Sequence, residues 1–454
     1  MNDFIRHGFR GLVSMGYRGY GLDVFGRFKW LQETMSWPAG KRLEWRLQRL
    51  GDILEFAWTH VPFYREYWGD HGVSFSRPRA LEDLKRYPVL TKAVFRANVQ
   101  RFVPDNLESI RHIHKSTGGT TGEPVRFLQD MEQWALIQAF HWWGWGLAGY
   151  QVGDPVGLIA GGAVLPEAMT FKVKARLFVE RRCFLFGINM SRELAVDYHR
   201  RLQRFRAKYL YGYPSVLFMF ARHLREEKLA LPALKAVITT SEILFPHYRK
   251  GIEEGLGCPV FDDFGCNDGG FQAYECSRHQ GMHYNDLQAV LEVAEPDAAG
   301  KGRLLITNLW NKSMPFVRYE NGDLVALADA LCPCGTAFPM ISSVEGRTYD
   351  LLTFSNGRCM SGSIIVHIMG KIEGDSTRFS GVDGYQAVQT APDALELRVR
   401  APRGVNPEAS RYFQEVFRRY LGEEVRLTIR EVEALEVTKA GKLKPVWSEI
   451  PTLR

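Results

Sequence analysis

Ser116-Thr117-Gly118-Gly119-Thr120-Thr121-Gly122-Glu123-Pro124 is the stretch on which the fold turns. A plausible strand, Ile110 to His114, leads into it, and helix-like sequence follows. Glycines let backbone approach an anion and aim N–H groups at it, and the hydroxyls add donors. That chemistry suits a polyphosphate. The Walker pattern does not apply, because Glu123 stands where that motif needs Lys. Read alone, the run fits a polar turn between two elements as well as a phosphate cradle.

Working outward, the pattern from about 105 to 345 alternates. Short apolar strands at 156–160, 236–240 and 302–308 are separated by helix-like segments such as Ser215 to Glu227. This predicts an α/β architecture with at least one largely parallel sheet. Upstream, Leu43, Leu47, Leu50 and Leu54 recur at helical spacing and predict one buried stripe over about 40–70, with Pro62 ending or redirecting the helix. Beyond about 350 the units become smaller. An alternating run at 395–401, an amphipathic run at 410–422 and another alternating run at 425–432 predict a separate small α+β domain.

Composition narrows the class. The chain has 454 residues, 45% of them hydrophobic and 24% charged, which excludes disorder or a fibrous repeat as the main content. Its net charge of +7 is mild, and basic and acidic residues interleave, so nucleic acid is not an expected partner. Seven unevenly spaced cysteines do not make a disulfide scaffold. No signal peptide opens the chain and no apolar run is long enough to span a membrane, so the cytoplasm is the expected compartment. Arg6, Arg10, Arg18, Arg27 and Lys29 lie among aromatics; a solvated basic arm is favoured there over a membrane-surface segment.

Further motifs follow the glycine run in order: Tyr211-Gly212-Tyr213-Pro214-Ser215, Thr239-Thr240-Ser241-Glu242 and Asp263-Phe264-Gly265-Cys266-Asn267-Asp268. Then come Arg318-Tyr319-Glu320-Asn321-Gly322-Asp323, Gly346-Arg347-Thr348-Tyr349-Asp350 and Lys439-Ala440-Gly441-Lys442. This ordered set resembles the adenylate-forming ligases, in the branch around phenylacetate–CoA ligase and the capsular-polysaccharide-type (CapK-like) proteins. The likeness extends from the VPFYREYW segment to Lys442. It implies a large N-terminal α/β domain of mixed sheets and helices and a small mobile C-terminal α+β lid. The boundaries are 1–105 for an N-terminal helical region of the large domain, 106–347 for the nucleotide- and acyl-binding core, and 350–454 for the lid.

The same resemblance implies site roles. Thr117, Gly118, Gly119, Thr120, Thr121 and Gly122 would hold ATP phosphates. Ser241 and Glu242 would border the adenine, and Asp263, Phe264 and Gly265 would flank it. Asp268 would support magnesium, Asp323 would accept hydrogen bonds from the ribose hydroxyls, and Arg347 would pair with phosphate. Lys442 would reach the α-phosphate from the mobile domain, with a hinge near Tyr349. The chain departs from the family pattern in having Asp268 for Glu, Gly118 for Ser and Glu123 for Lys, and in lacking a Pro-Arg-Thr lead-in before Lys439. The implied reaction is ATP-dependent activation of a carboxylic acid to acyl-AMP, followed by transfer to an acceptor, with CoA leading and an amine as the alternative. A nucleotide-binding protein without ligase chemistry and a zinc-stabilised scaffold are the rival classes. The acid and the oligomeric state stay open, a homodimer among the options.

A second constellation is Cys276, His283, Cys332 and Cys334. Cys-Pro-Cys-Gly can put two thiolates on one turn, and a Cys and a His upstream can complete a tetrahedron for structural zinc. Ligand spacing alone leaves buried free thiols equally open; the resemblance favours zinc, since a branch of the family carries such a site. His279 is the rival imidazole; His283 is preferred because Gly281-Met282-His283 reads into a strand. His112 and His114 share a strand face, and the aromatic run His141 to Trp145 is a candidate wall for the acid.

Overall fold

The computed structural model describes residues 2–116, 126–160, 170–186, 190–231, 233–347, 351–356, 359–362, 364–365, 368–369, 372, 382, 384–401, 404–437 and 445–450. The first strands in chain order are β1 (Leu90–Thr91), β2 (His112–Ser116), β3 (Arg126–Asp130), β4 (Val156–Ala160), β5 (Arg182–Phe186), β6 (Tyr209–Gly212) and β7 (Ala236–Thr239). Next come β8 (Val260–Cys266), β9 (Phe271–Glu275), β10 (Met282–Tyr284), β11 (Ala289–Ala294), β12 (Gly302–Asn308), β13 (Tyr319–Leu327) and β14 (Met340–Arg347). The last are β15 (Leu351–Thr353), β16 (Cys359–Ser361), β17 (Gly384–Ala391), β18 (Ala394–Arg400), β19 (Arg426–Glu431) and β20 (Val446–Ser448).

One 12-stranded sheet runs β11-β12-β13-β14-β10-β9-β8-β7-β6-β4-β5, with β1 added beside β13. The β5-β4-β6-β7-β8 side is parallel, and at the far side β1 pairs parallel with β13. From β8 onward it is antiparallel, because short turns rather than helical crossovers join those strands. The sheet is therefore mixed, not largely parallel. In the parallel part β4 is fully buried (Val156 to Ala160), as expected where helices cover both faces. The antiparallel part curls around a small core of its own, with Phe271, Ala273, Leu304, Ile306, Val325 and Ile341 inside.

The helix Ala39–His60 ends at Val61, and Pro62 starts the next helix, Pro62–Asp70, at a position where its missing N–H costs nothing. Its buried face keeps Leu50 and Leu54 of the leucine stripe but leaves Leu43 out. Arg42, Leu50, Ile53, Leu54 and Ala57 face inward, while Leu43 is 44% exposed. Arg42 is on the buried face because its guanidinium is paired: Nε donates to Asp286 Oδ1 at 2.9 Å and the group lies over the Phe338 ring at 4.7 Å.

The C-terminal part forms a four-stranded sheet, β19-β18-β17-β20. The helix Pro407–Leu421 covers it, its N-terminus capped by the Asn406 side chain, with Phe413, Val416, Phe417 and Leu421 buried.

Candidate functional site

In an open α/β sheet, ligands bind beyond the carboxyl ends of the parallel strands, beside the point where strand order reverses. Here β4 is followed by β5 on one side and β6 on the other, so that crevice opens between β4 and β6. Gly212 ends β6 there, and a Cβ on it would lie 1.9 Å from the Ile159 carbonyl oxygen, so only glycine allows the two strand ends to approach this closely. The glycine run lies in sequence between β2 and β3, which pair antiparallel. Thr117 to Gly122 lie outside the described residues, as does Lys442; of Arg347 only the backbone is described.

The next strand ends gather most of the remaining sequence-predicted residues. Ser241, just past β7, is a non-glycine residue at φ +68°, a backbone strain of the kind held at ligand edges. Glu242 turns back and accepts the Ser215 N–H at 3.1 Å, tying this turn to the start of the helix Pro214–Glu226. Asp263 on β8 is buried and accepts from Thr240 Oγ1 at 2.5 Å. Burial pushes its carboxyl up to about 7, and the hydrogen bonds from Thr240 and Tyr211 hold it from rising further. Phe264 is half-buried and Gly265 exposed at the lip of the same strand.

A second cluster forms where the antiparallel half curls. Asp268, in the turn after β8, meets Tyr319 on β13, four strand steps away in the sheet, accepting its hydroxyl at 2.7 Å. Its other oxygen accepts from the Cys266 thiol at 3.0 Å, and the Lys92 ammonium stands 3.7 Å away. Lys92 reaches this place because β1 pairs with β13 at Leu90↔Tyr319. Nothing in the sequence pattern marks that lysine. The thiol of Cys266 is pushed well up by burial and by Asp268, with Asp323 adding to the effect, so it is a poor nucleophile. Asp323 sits in an irregularity of β13, where the register to β12 jumps between Arg303↔Leu324 and Leu305↔Glu320 and Gly322 adopts φ +91°. Asn321 holds the Asp323 carboxylate through its amide, and the Cα of Arg347 lies opposite on β14.

The helix Met131–Leu147 closes the other side of this region. Gly144 lets it lie flat on the Tyr274 ring, where an added Cβ would be 2.1 Å from Tyr274 Cγ. His141 on this helix bonds the Tyr274 hydroxyl through Nδ1 at 2.9 Å. Tyr274 stands directly opposite Asp263 on β9, so the aromatic run identified in the sequence does face the buried polar residues at the strand ends.

The cysteine–histidine set lies one register step away, His283 being opposite Tyr274. Donor atoms of Cys276, His283, Cys332 and Cys334 lie within 4.8 Å of one another. A tetrahedral zinc with bonds of about 2.3 Å to sulfur and about 2.0–2.1 Å to nitrogen has edges near 3.8 Å (S–S) and 3.6 Å (S–N). Cys276 Sγ to Cys332 Sγ is 3.7 Å and Cys334 Sγ to His283 Nε2 is 3.4 Å. His283 Nδ1–H donates to the Phe338 carbonyl at 3.0 Å, which leaves Nε2 as the ligand atom. Burial pushes the Cys276 thiol up to about 12, so a thiolate there calls for a cation. His279 points elsewhere, its Nδ1 3.1 Å from Glu275.

No protein-family model matches the chain. A phenylacetate–coenzyme A ligase of Thermus thermophilus is 26% identical over 445 residues, covering 91% of this chain and 92% of that protein. Protein CapK of Staphylococcus aureus is 22% identical over 286 residues, 63% of each. Among solved structures, 2-hydroxyisobutyryl-CoA ligase in the postadenylation state with R3-HIB-AMP has a TM-score of 0.72 at 24% identity, covering 92% of each chain. The fold is shared over nearly the whole length.

Proposed function

We infer that this chain, which belongs to the phenylacetate–CoA ligase-like branch of the adenylate-forming ligases, activates a carboxylic acid with ATP and passes the acyl group to CoA. The near full-length similarity to a phenylacetate–coenzyme A ligase carries this reading. One carboxylate oxygen of the acid attacks the α-phosphorus, the bond to the bridging oxygen breaks, and pyrophosphate leaves with the electron pair. The CoA sulfur then attacks the acyl carbon, AMP departs, and the thiol proton is lost.

The roles of individual residues are assigned within this reading. Thr117 to Gly122 cradle the phosphates with backbone N–H groups. Ser241 and Glu242 border the adenine, with Asp263, Phe264 and Gly265 on its other side. Asp323 accepts from the ribose hydroxyls; its support is the β13 irregularity that lifts it and the Asn321 amide that orients it. Arg347 and Lys442 stabilise charge moving from the α-phosphate toward the leaving group, an interaction stronger in the transition state than in bound ATP. Lys442 does so from a C-terminal unit of residues 350–454 that acts as the lid.

The residues around Asp268 do not fit magnesium as they stand, because both carboxylate oxygens accept hydrogen bonds, from Cys266 and Tyr319, and the Lys92 ammonium is 3.7 Å away. Zinc fits the closed set of Cys276, His283, Cys332 and Cys334; four protein ligands leave no open position, so its contribution is to cross-link β9, β10 and the turn before β14.

Acid-dependent ATP–pyrophosphate exchange over a panel of aryl, alkyl and hydroxy acids tests the reading. Exchange that requires one class of acid is expected. No exchange with any acid, in protein that still binds AMP, would overturn it in favour of a nucleotide-binding protein without ligase chemistry.

A further inference from the structure

His141 has one nitrogen to spare. Its ring lies among those of Trp145, Tyr211 and Tyr274, with centroids 4.3, 5.8 and 5.9 Å away. Nδ1 meets the Tyr274 hydroxyl at 2.9 Å, and that hydroxyl gives its one proton to Gln272 Oε1, also at 2.9 Å. The Tyr274 oxygen therefore accepts from Nδ1–H, and Nε2 keeps a bare lone pair. Burial, with the Arg182 guanidinium nearby, holds the ring neutral by pulling its pKa down to about 3. Nε2 makes no hydrogen bond among the described residues, yet the side chain stays partly accessible rather than sealed in the core.

The polar neighbours are already engaged. Thr240 bonds Asp263 directly, and Tyr211 shares a hydrogen bond with the same carboxyl. What remains is an acceptor set among aromatic rings, beside the strand ends where the adenylate would form. An acceptor there discriminates, because a ligand that packs against it without a donor leaves it desolvated and unpaired. Arg182 decides between donor types. Its guanidinium stacks on Trp145 at 4.4 Å, and its charge disfavours a second cation, so an ammonium is a poor occupant and a neutral hydroxyl a good one.

We propose that His141 Nε2 accepts a hydrogen bond from a hydroxyl on the acyl chain or ring of the acid, so that the enzyme selects hydroxylated carboxylic acids over their unsubstituted parents. The proposal rests on the ligase reading above, which brings an acid to this wall. Gln272 lies opposite Gly265 of the nucleotide-flanking segment, so the chain His141–Tyr274–Gln272 also joins the acid wall to that segment.

The test measures kcat/KM for acid-dependent pyrophosphate exchange with matched pairs: phenylacetate and its ring-hydroxylated forms, and short alkyl acids and their hydroxy derivatives. In the unaltered protein at least one hydroxylated acid should exceed its parent by about tenfold or more. His141→Phe should erase that advantage, bringing the ratio of hydroxylated to parent kcat/KM to about one whatever loss the two acids share. His141→Gln retains an acceptor and should restore part of the preference, which covers the case in which the Phe variant fails to fold. Equal rates for parents and hydroxylated acids, or equal losses for both with His141→Phe and with no recovery in His141→Gln, would overturn the proposal and leave ligase function standing. Absence of exchange with every acid would overturn the ligase reading itself, and this inference with it.

Discussion

Replacing Gly144 with alanine puts the packing of the acid wall to a direct test. The new Cβ would lie 2.1, 2.2 and 2.6 Å from three ring carbons of Tyr274. Ordinary carbon contact needs about 3.5 Å, so either the helix or the ring must retreat by more than 1 Å. The ring cannot simply turn, because its hydroxyl is held by His141 and Gln272 and its edge packs on Phe140 at 5.4 Å. Overpacking costs about 1–3 kcal/mol, and three contacts this short belong at the upper end. Against it stands the helix-propensity gain of Gly→Ala, about 1 kcal/mol. Overpacking wins by about 2 kcal/mol. Activity should fall further than stability, since a shift of about 1 Å at a positioned substrate can cost on the order of a hundred-fold. Thermal unfolding together with exchange kinetics for the acid reads both effects, with KM for ATP nearly unchanged. Gly146→Ala on the same helix is the control, because its Cβ meets nothing within 4 Å and should leave activity intact. A Gly144→Ala protein with unchanged or higher melting temperature and normal kinetics would refute the close helix–ring contact.

Purified protein should carry about one equivalent of zinc, and Cys332→Ser should lose metal and melting temperature together, because metal binding is coupled to folding; His279→Ala should keep the metal, as elemental analysis will read. Asp323→Ala should weaken ATP and AMP by roughly ten- to hundred-fold in calorimetry, the equivalent of about 1.5–3 kcal/mol for hydrogen bonds to a charged group. His141 makes stability pH-dependent. The folded ring takes its proton only near pH 3, whereas an unfolded histidine takes it near 6.5, so the folded state binds fewer protons between these values. Stability should therefore fall as pH drops from about 6.5 toward 3, and His141→Phe should flatten that limb in denaturant titrations.

Local pattern was enough to read strands in both halves of the sheet, since β4 and β7 in the parallel half and β12 in the antiparallel half are short apolar runs bounded by polar ones. It also placed His283 rather than His279 beside the cysteines, because a histidine on a strand has its direction fixed by the pleat. What could not be read were contacts made by strand pairing across long stretches of sequence. Lys92 meets Asp268 only because β1 adds to β13, and the Tyr211–Asp263–Tyr274 cluster exists only because the sheet order β6-β7-β8-β9 puts Tyr274 opposite Asp263 and β6 two strands from β8. Arg42 shows the same limit on a helix: the leucine spacing found Leu50 and Leu54, but not Arg42, which is buried beside them by pairing with Asp286.

The central claim is that an acyl-adenylate forms on this chain and is consumed by a thiol. A single-turnover reaction with excess enzyme, ATP and an acid that supports exchange, quenched and resolved by mass spectrometry, addresses it directly. Without CoA, acyl-AMP and pyrophosphate should accumulate together to about one per enzyme, and adding CoA should convert the acyl-AMP to thioester with release of AMP. ADP and inorganic phosphate in place of AMP and pyrophosphate, or AMP formation that does not need the acid, would contradict the account.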